Sequence, residues 1–150
     1  MNAESYWPPI DEPLEYHVST PWKVACVLLG AIFACNSVFF ALVRSPHPAP
    51  IARLALGGCS AFLSLYFLFY AFRGLIKITS KEIHCRYAFS SRSMRRDEVA
   101  GKKKYRAQTS GRVFYRVLST SGRLMLIDYA AFRIDARFSA WLESLPTISM

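Results

Sequence analysis

The stretch VACVLLGAIFACNSVFFALV, residues 24–43, carries no charged side chain across 20 positions. A second stretch, LALGGCSAFLSLYFLFYAF at residues 54–72, adds 19 more. At about 1.5 Å of rise per residue, either run reaches across the ~30 Å hydrocarbon core of a bilayer as a helix. Such runs predict membrane-spanning helices. Because they fall in the first half of a 150-residue chain, only one small domain fits after Phe72.

The connector between the runs is short and rich in proline (Pro46, Pro48, Pro50). It predicts an antiparallel hairpin over residues 22–72. Gly30 and Ala34 in the first run, and Gly57 and Ala61 in the second, place small residues one helical turn apart, where backbones can approach closely. Asn36 is the strongly polar residue of the first run. Its amide has two readings: a hydrogen bond to the neighbouring helix, or a contact with another membrane subunit. Trp22 and Lys23 precede the first run, as an interfacial ring and a snorkelling cation would.

Charge is divided unevenly. Residues 1–22 hold four acids (Glu4, Asp11, Glu12, Glu15) and no Lys or Arg. Residues 73–150 hold sixteen Lys or Arg against six Asp or Glu, a net of +10. Cations close behind a membrane segment favour the cytoplasmic side, so Arg73, Lys77, Lys81 and Arg86 place the C-terminal domain there. Two crossings then return the N-terminal tail to the same side. Pro8, Pro9, Pro13 and Pro21 predict an irregular, solvated, acidic tail over residues 1–21. No basic segment precedes the first run, and that run exceeds the apolar part of a signal peptide, so a retained anchor is expected.

After Gly74 the pattern changes from helical to alternating. Ile76 and Ile78 alternate with Lys77 and Thr79, and after a turn at Ser80-Lys81, Ile83, Cys85 and Tyr87 alternate with His84 and Arg86. This is a hairpin with one buried face. Residues 90–93 read as a further turn, followed by a short segment to Val99. Thr109-Ser110-Gly111 is turn chemistry. Val113–Thr120 and Arg123–Asp128 form a second hairpin about Ser121-Gly122. The last element is a helix with Asp135 as N-cap and Pro146 as stop; Phe138, Trp141, Leu142 and Leu145 make its apolar stripe. The fold class is therefore α+β: a transmembrane two-helix hairpin, then a small antiparallel sheet or barrel capped by a terminal helix.

In these features the chain resembles the small bacterial membrane proteins that carry a PH-like domain after two transmembrane helices. The resemblance rests on the strand Leu75-Ile76-Lys77-Ile78-Thr79, the strand Glu82–Tyr87, the segment Arg96-Asp97-Glu98-Val99, the hairpin at Ser121-Gly122 and the helix 136–145. One departure is the wholly charged Arg95-Arg96-Asp97-Glu98, where the family usually carries aromatic or aliphatic residues. The resemblance implies a PH-like domain over 74–146, a scaffold or binding role, and a multi-pass protein of the bacterial inner membrane with both termini cytoplasmic. It brings no ligand and no catalytic residue.

The chemistry-bearing feature is a run of cations: Arg92, Arg95, Arg96, Lys102, Lys103, Lys104 and Arg106. Cations beside a membrane attract anionic headgroups by about 1 kcal/mol each. They are read either as a binding surface for an anionic lipid or a protein partner, or as the plain consequence of tethering a domain to its own bilayer. No nucleic-acid motif accompanies them. His17, His47 and His84 are isolated, the cysteines (Cys26, Cys35, Cys59, Cys85) have no CxxC spacing, and neither GxSxG nor SxxK occurs. No metal site, cofactor or catalytic residue is expected. The expected protein is a non-enzymatic membrane-tethered binding or scaffold module. The alternative is an accessory subunit of a larger membrane complex, held through its hairpin.

Overall fold

The computed structural model describes residues 7–42, 50–106, 113–122, 124–127 and 131–148. The expected turn at Thr109-Ser110-Gly111 and most of the connector lie outside the described residues. The fold is α+β, with two long apolar helices, two antiparallel sheets and a C-terminal helix. It divides into a sheet unit (residues 1–17, 75–86 and 91–150) and a helical unit (residues 18–74 and 87–90).

The helical unit holds α1 (Thr20–Leu42) and α2 (Pro50–Arg73). Each overshoots the uncharged run that predicted it by a few residues. Pro21 falls in the first turn of α1 and Pro50 opens α2, positions where a missing N–H costs nothing. Both helices are long and apolar enough to cross a membrane. They pack along one stripe. Gly30 is buried, and a methyl group there would lie 3.1 Å from Leu68 Cγ. Phe33 stacks on Phe67 at 5.8 Å, and Ser37 Oγ donates to the Gly57 carbonyl at 3.0 Å. The turn Tyr87–Ser90 belongs to this unit: Phe89 lies 5.3 Å from Phe69 and 5.6 Å from Phe62, ring to ring.

The sheet unit opens with β1 (Leu14–His17), which pairs antiparallel with β2 (Leu75–Ile78). β2 pairs with β3 (Glu82–Arg86), and β3 with β4 (Ser91–Arg95), giving the order β1-β2-β3-β4. Thr79 closes the β2–β3 turn: its Oγ1 accepts from the backbone N–H of Glu82 at 3.0 Å. A 3-10 turn, Arg96–Glu98, leads to β5 (Val99–Arg106). β5, β6 (Val113–Ser119) and β7 (Leu124–Ile127) form the second sheet in that order. Among the described residues no strand pairing joins the two sheets, so they are not closed into a barrel.

Helix α3 (Ala136–Ser144) has the expected cap: Asp135 Oδ1 accepts from Phe138 N–H at 2.9 Å. Its whole apolar stripe is buried, with Phe138, Trp141, Leu142 and Leu145 at most 2% exposed. They share the sheet unit's core with Ile76, Ile78, Ile83, Cys85, Val117, Met125 and Ile127.

The acidic tail departs from expectation. Residues 14–17 are a strand, and Trp7 and Tyr16 are core residues, 3% and 5% exposed. Trp7 packs edge-on against Trp141 at 5.3 Å and donates its indole N–H to Thr79 O at 3.1 Å. Tyr16 packs on Phe138 and donates its hydroxyl to Asp135 at 2.7 Å. Two large aromatics drive this segment into the core despite its prolines and charges, because burying each ring outweighs ordering a short strap. Residues 90–93 also differ: the expected turn is Tyr87–Ser90, where Tyr87 N–H meets Ser90 O at 2.8 Å, and Ser91 already begins β4.

Candidate functional site

The described cations of the predicted cluster are divided between β4, the 3-10 turn and β5. Arg92 and Arg95 are exposed on β4, the last strand of its sheet, and Arg96 is half-buried at the start of the 3-10 turn. In β5, successive side chains take opposite faces. Lys102 turns under α3 and donates Nζ at 2.7 Å to the Leu142 carbonyl, an oxygen near that helix end that also accepts from Leu145 N–H at 3.3 Å. Burial pulls its pKa below the usual lysine value, with the Glu143 carboxylate opposing. Lys102 is therefore a positioning group for α3. Lys104 is exposed, and the side chain of Arg106 lies outside the described residues.

Lys103 takes the other face, where the β5–β6 register sets it opposite Arg116. Both cations converge on the Tyr105 ring, Arg116 Cζ at 4.3 Å from its centroid and Lys103 Nζ at 5.3 Å. Two cations at one aromatic ring gain cation–π attraction and concentrate positive potential there. Arg116 was not among the expected site residues. The pairing that brings it to Lys103 depends on the length of the β5–β6 connection, which hydrophobic alternation does not encode.

Alongside β4 lies a hollow of about 630 Å³. Ser91, Arg92, Ser93 and Met94 line it from the strand, Ser119 and Met125 from the β6–β7 hairpin, and Glu98 from the 3-10 turn. Glu98 also holds the edge: its Oε2 accepts from Arg95 N–H at 3.3 Å. A second hollow, about 590 Å³, lies where the Pro8–Leu14 strap crosses α3 beside Arg137 and Trp141. On β1, Glu15 pairs with Lys77 of β2 at 2.7 Å. That pairing, first through the hydrogen bond and then through charge, holds the Glu15 carboxyl below its usual range.

Of the expected packing residues, Gly30 and Gly57 lie in the helix contact, with Ala61 half-buried. Ala34 and Asn36 do not: both are exposed. The reading that Asn36 bonds to the neighbouring helix is thereby corrected. Gly30, Phe33, Ser37 and Phe40 define the stripe facing α2, and Asn36 lies at its border, about 40° of helical rotation beyond Phe40, with its side chain exposed. Among the described residues no group of three or more His, Cys, Asp or Glu comes together.

In comparisons with known proteins, no family model, no curated protein and no solved structure matches this chain.

Proposed function

We propose that the protein is a non-enzymatic integral membrane protein that presents a PH-like binding or scaffold domain at the cytoplasmic face of the bacterial inner membrane. The domain engages a protein partner, an anionic lipid headgroup, or both. The observation that carries the membrane half is the exposure of the hairpin's apolar surface. Leu42, Ile51, Leu54 and Phe72 are 71–82% exposed, and only 11% of either apolar window is buried. A core helix of a water-soluble protein would be covered; an outer surface of this kind suits lipid. The binding half rests on Arg92, Arg95, Lys104 and the Lys103–Tyr105–Arg116 stack. The PH-like reading of the sheet unit is supported by the element order alone, antiparallel strands followed by a capping helix, since the two sheets are not closed into a barrel. Full-length protein in neutral-lipid nanodiscs should capture vesicles containing anionic lipid, with capture falling at higher salt. Equal capture of zwitterionic vesicles would remove the lipid arm of this reading.

A second reading, an accessory subunit held through its hairpin, is favoured by Asn36. An amide facing hydrocarbon is costly, and a neighbouring membrane subunit would satisfy it. Asn36→Leu should then abolish co-purification of that subunit in mild detergent while leaving the sheet unit's melting unchanged. Unaltered recovery would remove this reading.

A further inference from the structure

Sheet edges are liabilities that proteins cover. This chain covers one of its own. The outer edge of β5 carries residues 146–148 as a parallel addition, with Lys102 N–H donating to Pro146 O at 2.8 Å and Ile148 N–H to Lys102 O at 3.0 Å. Gly101 permits that approach, since a side chain there would collide with the Pro146 carbonyl. The edge of β4 is treated differently, because a hollow of about 630 Å³ runs beside it.

The register shows which backbone groups β4 turns outward. Arg96 N–H bonds to Lys81 O at 2.7 Å, and hydrogen-bonded pairs alternate along an antiparallel ladder. Met94 opposite Ile83 and Arg92 opposite Cys85 are then the bonded pairs. Ser91, Ser93 and Arg95 accordingly direct their N–H and C=O away from β3, toward the position of a further strand. At one of these groups a carboxylate already sits: Arg95 N–H is met by Glu98 Oε2. Arg92 and Arg95 flank the edge on opposite faces of the strand and are both exposed.

We propose that the β4 edge and its hollow take an extended acidic peptide segment of a partner protein as a fifth strand. This names the partner class of the binding domain proposed above and rests on that reading. Main-chain pairing to Ser91 and Ser93 supplies affinity, the hollow accepts alternate side chains beside Met94 and Met125, and Arg92 and Arg95 select for acids. A second copy of this chain fits poorly, because two β4 edges side by side would bring four arginines together. The described part of the chain's own acidic tail is anchored elsewhere, through Trp7, β1 and the Glu15–Lys77 pair.

The test uses full-length protein in neutral-lipid nanodiscs and a fluorescein-labelled peptide of alternating glutamate and valine, read by anisotropy. Saturable binding is expected. Ser93→Pro, which deletes an outward N–H that β3 does not use, should weaken it about tenfold or more, whereas Ser93→Ala should leave it unchanged. Arg92→Glu with Arg95→Glu should abolish it. Hydrogen exchange of β2 and β3 verifies that Ser93→Pro leaves the sheet intact; if the sheet opens, a backbone N-methylated probe peptide replaces the variant and should bind about tenfold more weakly. Binding indifferent to both overturns the proposal in favour of diffuse charge attraction. If the peptide fails to bind while anionic vesicles bind through Arg92 and Arg95, the peptide site is refuted and the lipid reading stands. If neither binds, both fall.

Discussion

Trp7→Ala tests whether the N-terminal segment is part of the folded unit. A tryptophan buries roughly 200 Å² of mostly apolar surface, which at ~25 cal/mol per Å² is about 5 kcal/mol against a fully extended reference. Alanine retains some of that burial, and a compact unfolded chain lowers the total further. The edge-on contact with Trp141 at 5.3 Å and the indole hydrogen bond to Thr79 add about 1 kcal/mol each. The expected loss is about 4 kcal/mol, within the usual range for Trp→Ala in a core. In hydrogen-exchange measurements on detergent-solubilised full-length protein, amides of β1 and β2 should exchange about a thousandfold faster. Trp7→Phe, which keeps most of the ring and loses the N–H, should cost about 1–2 kcal/mol. Wild-type protection of β1 and β2 in Trp7→Ala would refute the placement of this tryptophan in the core.

Three further outcomes are expected. The Asp135 carboxyl is pushed up by burial, but Phe138 N–H and the Tyr16 hydroxyl outweigh this and hold its pKa below the usual value. Its contribution is present above the usual aspartate range near pH ~4 and is lost as the pH falls through the lowered folded value, so circular-dichroism melts should show an acid-dependent loss that Asp135→Asn removes. Gly30→Leu should loosen the α1–α2 contact, because Leu68 and Ser64 O leave no room, whereas Gly58→Leu, with nothing within 4 Å, should leave hairpin amide exchange unchanged. Lys102→Met should raise exchange at the end of α3 by about 1–2 kcal/mol without weakening capture of anionic vesicles, and Lys104→Met should do the reverse.

The sequence pattern was most legible where one periodicity dominated. The uncharged runs foretold both long helices, the Phe138–Trp141–Leu142–Leu145 spacing foretold the buried face of α3, and Asp135 foretold its cap. What escaped was long-range. β1 has only four residues and follows prolines and acids, so local composition argued for a solvated tail; its place is decided by Trp7 and Tyr16 meeting Trp141, Phe138 and Asp135 far along the chain. Within the cation run, alternation alone could separate Lys102 from Lys103 but not reveal that Lys102 reaches Leu142 O, or that Arg116 joins Tyr105. Asn36 was recognisable as unusual, yet which face it took depended on the stripe that Gly30 and Ser37 form against α2.

The measurement that bears most directly on the central claim is cysteine labelling of the full chain in bacterial spheroplasts with a membrane-impermeant maleimide. The background carries Cys85→Ser, and the reporters are His47→Cys in the connector and Lys104→Cys on β5. Two crossings with an inward-facing basic domain predict that His47→Cys labels in intact spheroplasts and Lys104→Cys only after lysis. Labelling of Lys104→Cys from outside, or protection of both sites until lysis, would contradict the account.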